Sequence, residues 1–244
     1  EEGVEISKLE ENQVDIAHIS PSHHYPTGIV MPVSRRYELL GWASKSENRY
    51  IIEDDYDSEL RLSGQPIPTL QSMDVSDKVI YMNTFTKTLA STVRISYMIL
   101  PRELFQQYYK KLSFYSCTVS NFEQYTLAKF IEEGYFEKHI NRLRNYYHNK
   151  RNTIVETIKK SRLNQYVSIS GEEAGVHFLM KIETKKPQEQ LMENAKAQGI
   201  KLSPLSAYYK ENREEIQNTY VMNYSSIELE KIEKVVTRLV KCCE

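Results

Sequence analysis

The sequence predicts an α/β fold: a covered sheet, then a helical stretch, then a small α+β unit. Three observations predict it. Short apolar runs alternate with helical text over roughly the first hundred residues, helical periodicity takes over from Glu103 to about Arg162, and short strand-like runs return in the remainder. Continuous apolar strands joined by helices indicate a sheet with both faces covered.

Each element follows from local text. Val14–Ser20 reads as a strand, and Pro21–Gly28 is a loop punctuated by two prolines and a glycine. Pro32 opens a helix, a position that suits proline, and the helix runs through Leu39, Leu40 and Trp42. Tyr50–Asp54, Lys78–Met82 and Arg94–Leu100 are strands, the last stopped by Pro101. In the helical stretch Asn121 suits an N-cap with Glu123 in the first turn. Gly134 marks a break, and apolar residues recur at helical spacing from Tyr135 to Lys160. Tyr166–Ser170, Val176–Met180, Ile200–Leu202 and Tyr220–Tyr224 read as strands, Pro187–Ala197 as a helix closed by Gly199, and Glu228–Cys242 as a final amphipathic helix.

Composition narrows the function. The 244 residues suffice for a sizeable core, and the net charge of −1 argues against nucleic-acid binding by this chain itself. A DNA-binding partner domain outside the chain stays open. Cys117, Cys242 and Cys243 are too few and too oddly placed for a disulfide framework, which points to reduced thiols in a cytosolic setting. No cysteine–histidine cluster has zinc spacing, so no metal is expected. No apolar run is long enough to span a membrane, and the acidic start Glu1–Glu5 lacks signal-peptide character. The 18 tyrosines fit packing at core edges and interfaces.

Chemistry concentrates at the ends of two predicted strands. Asp54 and Tyr56 share one face if the extended geometry persists, with Asp55 pointing away. Lys87 follows the next strand, and Arg94 comes seven residues later. Ligands of open α/β sheets bind beyond the carboxyl ends of the strands. These residue types suit pyridoxal phosphate: a carboxylate for the pyridine nitrogen, a phenol for the phenolate oxygen, an amine for the aldehyde and an arginine fork for the phosphate. Thr84 or Thr86 adds a hydroxyl for the phosphate. By spacing alone a second reading stands beside this one, in which Glu53–Asp57 is a solvated acidic loop, Lys87 a surface lysine and Arg94 the partner of one of the acids.

The ordered text Ile51–Leu60, Val79–Leu89 and Arg94–Pro101, preceded by Ser20–Gly28, resembles the aminotransferase-like domain of MocR/GabR-type regulators of the GntR family. In that family a winged helix-turn-helix precedes a fold type I pyridoxal-phosphate domain. The resemblance implies that residues 1–101 are the second half of the large, cofactor-binding domain, 102–162 connecting helices and 163–244 the small C-terminal domain. It puts Lys87 on the Schiff-base lysine, Asp54 on the pyridine-nitrogen aspartate, Tyr56 beside the phenolate oxygen, and Arg94 and Thr84 on the phosphate. Tyr25 stands where many aminotransferases carry an asparagine before Pro-Thr-Gly. His23 and His24 are either loop histidines bonded to backbone or cofactor-side groups. The winged helix and the phosphate-cradling turn have no counterpart here, so the chain reads as a fragment with an incomplete site.

The resemblance implies an effector-sensing domain that binds an amino acid or amine through pyridoxal phosphate. DNA would be contacted only by an N-terminal winged helix outside this chain. The expected assembly is a cytoplasmic homodimer. Fold type I enzymes usually hold a substrate carboxylate with an arginine on a late strand, but Tyr220–Tyr224 has none. Beyond Arg162 the arginines are Arg213, on a polar surface run, and Arg238, solvated in the last helix. At most residual transaminase activity is therefore expected. The alternatives are a free-standing aminotransferase and a cofactor-free dimerisation remnant.

Overall fold

The structure, a computed structural model, describes residues 3–62, 67–172, 175–211 and 213–244. Glu1 and Glu2 of the acidic start and Asn212 of the polar run lie outside them. The chain forms two compact units, the first comprising Glu1–His24 and Ile29–Leu143, the second Tyr25–Gly28 and Arg144–Glu244.

The first unit begins with helix α1 (Ile6–Glu11), strand β1 (Ile16–Ile19), helix α2 (Val33–Ser44) and strand β2 (Tyr50–Asp54). A short helix α3 (Leu70–Met73), strands β3 (Val79–Thr84) and β4 (Ser96–Ile99), and helices α4 (Arg102–Leu112) and α5 (Asn121–Glu132) follow. The strands form one sheet in the order β1-β2-β3-β4. The first three are parallel and in flush register, Ile19 opposite Glu53 and Glu53 opposite Tyr81. Their carboxyl ends therefore share one edge. Strand β4 runs back antiparallel from that edge, with Ser96 opposite Thr84.

Alternation explains why β2 and β3 sit centrally. Ile51 and Glu53 are buried on β2, and Val79, Tyr81 and Asn83 on β3. Helix α2 buries Arg36, Leu39, Trp42 and Ala43, a single helical face, and packs into a core with Ala17, Met31, Ile51, Leu70 and Val79. Pro32 is the N-cap of α2 rather than its first turn.

Two expectations, the covered sheet at β4 and the N-cap of α5, need correction here. Strand β4 is exposed along its whole length, Tyr97, Met98 and Ile99 included, so the sheet is not covered there. Helices α4 and α5 bury no residue, and Phe105, Tyr109, Phe122 and Tyr125 are exposed on them. The N-cap of α5 is Ser120, not Asn121: its hydroxyl accepts from the Glu123 amide at 3.2 Å and donates to the Glu123 carboxylate at 2.8 Å. The serine and the glutamate three residues on have the spacing of a capping box, for which Asn121 is one position too late, but here the carboxylate accepts from the Ser120 hydroxyl.

Gly134, at φ +73°, separates α5 from the long helix α6 (Tyr135–Lys160). Up to Leu143 this helix belongs to the first unit, and from Arg144 to the second. The second unit adds strands β5 (Val167–Ser170) and β6 (His177–Ile182), helix α7 (Gln188–Ala197), strand β7 (Thr219–Asn223) and helix α8 (Ile232–Cys243). The strands form an antiparallel sheet, β5-β6-β7. Ile232, Val236, Leu239, Val240 and Cys243 make the buried stripe of α8, and Ile154 and Ile158 that of α6. Ile200–Leu202 is not a strand. Nearby, Pro204 bridges Tyr220 on the edge of β7 away from β6, beside the Val221 N–H to Ser203 carbonyl bond at 2.9 Å, and a proline cannot donate to extend a ladder there. Among the described residues no helix is long and apolar enough to cross a membrane.

Candidate cofactor-binding site

The acidic run after β2 is not a solvated loop. Its carboxylates alternate in burial: Glu53, Asp55 and Asp57 are buried while Asp54 and Tyr56 are half-exposed. The period of two carries past the end of the strand and divides the run into an inner and an outer set.

The inner set is scaffold. Glu53 accepts the backbone N–H groups of Leu70 and Gln71 at 2.8 and 2.9 Å, capping α3. Asp55 Oδ2 accepts from the hydroxyls of Tyr81 and Ser58, both at 2.8 Å. Asp57 Oδ2 lies 2.8 Å from His23 Nδ1, with both side chains buried. This contact puts His23 in the scaffold. Asn83 donates to Glu59 and to the Tyr81 oxygen at 3.0 and 3.1 Å. Burial pushes the carboxyls of Glu53, Asp55 and Glu59 up from the ordinary range, and their hydrogen bonds act the other way. Burial and the Asp55 charge push the Tyr81 hydroxyl up, so it stays a donor.

A buried cation offsets part of this charge. Arg36 is fully buried and donates to the carbonyls of Met31, Pro68 and Pro21 at 3.1, 2.8 and 2.9 Å. Glu53 and Asp55 favour its charged form against the burial that disfavours it. Arg36, His23 and Asp57 were not singled out as scaffold in the sequence. Arg36 was legible in principle, because it falls on the Leu39/Ala43 face of α2.

The outer set faces the shared strand edge. The Asp54 carboxylate lies 3.4 Å from Nε2 of His18 on β1, with both side chains substantially exposed. His18 was also missed, hidden in an apolar strand. Tyr56 donates its hydroxyl proton to the His23 carbonyl at 2.9 Å. Thr84 closes β3, and its hydroxyl has the Thr86 hydroxyl at 3.0 Å and the Ile95 carbonyl at 3.3 Å as acceptors.

Lys87 lies in the turn that follows. The turn is closed by Leu89 N–H to Phe85 O at 2.9 Å, and Thr86 Oγ1 donates to Val93 O at 3.0 Å. These bonds bring Arg94 back beside the turn. Lys87 and Arg94 are exposed and form no ion pair or hydrogen bond among the described residues. The strand edge thus gathers Asp54 and Tyr56 on one connection and Thr84, Lys87 and Arg94 on the next. No hydrogen bond or ion pair joins any two of the five among the described residues.

In the second unit Tyr25 Oη is 2.8 Å from Tyr208 Oη, and that bond, then burial, pushes the Tyr25 hydroxyl up to about 12. Strand β7 contains no arginine. Arg213 is exposed over the Tyr209 ring. Arg238 is not simply solvated: it donates to the Gln198 carbonyl at 2.8 Å, at the end of α7, where the last carbonyls lack helical partners.

The family model for aminotransferase class I and II matches residues 5–239. The chain belongs to this family. Its fold is that of fold type I aminotransferases: a kynurenine aminotransferase of Pyrococcus horikoshii, solved with PMP, superposes with a TM-score of 0.81 at 28% identity, covering 99% of this chain and 61% of that one. The resemblance to MocR-type regulators also holds. The uncharacterized HTH-type transcriptional regulator YdeL of Bacillus subtilis is 42% identical over 210 residues, 86% of this chain and 45% of that protein. The probable rhizopine catabolism regulatory protein MocR of Rhizobium meliloti is 34% identical over 191 residues, 78% of this chain and 38% of that protein. The chain thus spans less than half the length of these curated relatives.

The residues at the strand edge fit pyridoxal phosphate. An unpaired amine and an unpaired guanidinium on one loop suit an aldehyde and an anionic phosphate, and a half-exposed carboxylate across the edge suits a protonated ring nitrogen. The hydroxyls of Tyr56 and Thr84 would have to exchange their present acceptors to donate to it.

Proposed function

We propose that this chain is the effector-sensing, pyridoxal-phosphate-binding domain of a GntR/MocR-type transcription regulator. The observation that carries the reading is an aminotransferase fold with an unpaired Lys87 at the strand edge, in a sequence 42% identical to an HTH-type regulator. Lys87 supplies the amine that anchors the cofactor. Asp54 holds a proton on the ring nitrogen, Tyr56 faces the phenolate oxygen, and Arg94 and Thr84 hold the phosphate. When bound, the group supplies an electrophilic carbon and an electron-withdrawing ring. With the group bound, Lys87 would hold it, an amino acid or amine effector would take the lysine's place, and release of Lys87 would be the event to be sensed. DNA contact falls to a winged helix outside this chain, in a homodimer.

Strand β7 without an arginine supports sensing over turnover. The likeness to the kynurenine aminotransferase favours a second reading, a free-standing aminotransferase. The deciding experiment measures operator binding by the full-length protein with and without pyridoxal phosphate and candidate amines, beside keto-acid-dependent turnover. Operator binding that responds to both cofactor and amine is expected. Operator binding indifferent to both, or sustained turnover without any DNA binding, would overturn the regulator reading.

A further inference from the structure

We propose that Phe136 and His139, on one face of α6, are positioning residues that hold Lys87 in place. The proposal rests on Lys87 being the cofactor-bearing lysine. Among the described residues the Lys87 side chain has no hydrogen-bond or ion-pair partner, so the backbone of the Phe85–Leu89 turn sets where it starts.

Two contacts from α6 grip that turn on either side of Lys87. The Phe85 ring, two residues before it, meets the edge of Phe136 at a centroid distance of 5.8 Å and an interplanar angle of 74°. The Thr88 carbonyl, one residue after it, lies 2.9 Å from His139 Nε2. Thr88 is itself buried. Residues three apart on a helix share a face, so Phe136 and His139 reach the turn together. Gly134, with φ +73° and two residues before Phe136, stands between the end of α5 and the start of α6 at Tyr135.

The hold does not depend on the charge of the imidazole. A carbonyl only accepts, so Nε2 must carry a proton, and it does so both in one neutral tautomer and in the cation. Nor is His139 wedged into a closed core. With Leu89, Val93, Ile95, Phe122 and Phe130 it lines an open apolar cleft of about 320 Å³. Shortening it enlarges that cleft and leaves no sealed void, so His139→Ala should fold. The helix that makes the grip continues to Lys160, with its later turns in the second unit. The lysine turn is thereby mounted on the longest helix among the described residues.

The test compares wild type, His139→Ala, His139→Gln and Phe136→Leu in two assays on the cofactor-free protein. The first follows hydrogen exchange of the peptide spanning 84–95. The second traps Lys87 with pyridoxal phosphate and borohydride, and quantifies its peptide against those of other lysines. One neutral hydrogen bond corresponds to roughly a two- to twelvefold change in an equilibrium. Exchange in the 84–95 peptide should rise about fivefold in His139→Ala, and Lys87 trapping should fall by a similar factor. Glutamine, which keeps an N–H donor, should recover most of both. Phe136→Leu should loosen the same peptide.

Uniformly faster exchange across the first unit would overturn the proposal, because it means general destabilisation. So would faster exchange of the peptide with unchanged trapping, or a glutamine variant no better than alanine. If wild-type Lys87 is trapped no better than an ordinary surface lysine, the cofactor reading itself has failed. The exchange assay still decides in that case whether α6 grips the turn.

Discussion

Arg36→Met is the sharpest test of the scaffold beneath the strand edge. The guanidinium is fully buried and satisfies three main-chain carbonyls, those of Pro21, Met31 and Pro68. Methionine replaces only the aliphatic part and has no donor, so the Met31 and Pro68 carbonyls lose their guanidinium partner, while the Pro21 carbonyl keeps the Met31 N–H at 2.9 Å. At about 1 kcal/mol or more for each of these two carbonyls, the loss is at least about 2 kcal/mol. Glu53 and Asp55 also lose the cation that favours their charged forms, which brings the total to about 3–5 kcal/mol. Urea denaturation followed by the fluorescence of the single tryptophan, Trp42, reads this unit directly. The midpoint should fall with an unchanged slope. Without Arg36 the Glu53 carboxyl rises further, so the deficit should shrink as pH falls from 8 toward 5. Arg36→Met with Glu53→Gln should be less damaging than the two single losses added, by about 1 kcal/mol or more. A loss under 1 kcal/mol, or a deficit independent of pH in a strictly additive pair, would refute the charge-balance argument.

Three further outcomes follow from the same geometry. Lys87→Ala should abolish the visible absorbance of bound cofactor in the full-length protein while moving stability by no more than about 0.5 kcal/mol, since the side chain is exposed and unpaired; a spectrum unchanged by the substitution would remove Lys87 from the site. The raised Asp55 carboxyl binds its proton more tightly folded than unfolded, so its contribution is fully favourable only below about pH 4, the unfolded value, and declines as pH rises toward the elevated folded one. Thermal melts of Asp55→Asn across pH 4–7 should accordingly be flatter than wild type, with Glu53 and Glu59 leaving a residual slope of the same sign. Gly28→Ala should cost about 1–2 kcal/mol, because φ is +72° and the new Cβ would stand 3.3 Å from the Gly171 backbone; circular dichroism should report it before Trp42 fluorescence, Gly28 and Gly171 both being in the second unit.

The sheet was legible where pattern and packing coincide. Strands β2, β3, β6 and β7 fall within two residues of their apolar runs, and Gly134 breaks the helices where expected. The face shared by Asp54 and Tyr56 was legible too, because side-chain period is a backbone property. Misreadings arose where long-range partners decide. Ile200–Leu202 has strand-like residues, yet the nearby bridge to the outer edge of β7 falls on Pro204, which has no N–H to extend a ladder. Arg94–Leu100 looks like a buried strand, and nothing local says that no neighbour covers β4. Buried polar groups were least legible. An arginine on α2 or a histidine after Pro21 becomes scaffold only because carboxylates and carbonyls from distant segments meet it.

The alternation in Glu53–Asp57 has a consequence for reading mutants of this site. Inner and outer acids lie one residue apart in sequence but on opposite sides of the chain. Loss of Asp54 removes a half-exposed carboxylate whose ionic neighbour is the exposed His18 at 3.4 Å, so the fold should tolerate it. Loss of Asp55 or Asp57 strips acceptors from buried Tyr81 or His23, and a weakened cofactor spectrum there would report a displaced strand edge. Cofactor binding alone therefore cannot assign a role to any acid in the run; paired with unfolding free energy it can, because the outer carboxylate should change the first and the inner ones both. A one-residue slip of β2 against β3 would exchange the two sets at once, burying Asp54 and exposing Asp55. Because Tyr81 and His23 hold Asp55 and Asp57, the hydrogen bonds of the scaffold also fix which carboxylate is presented at the edge.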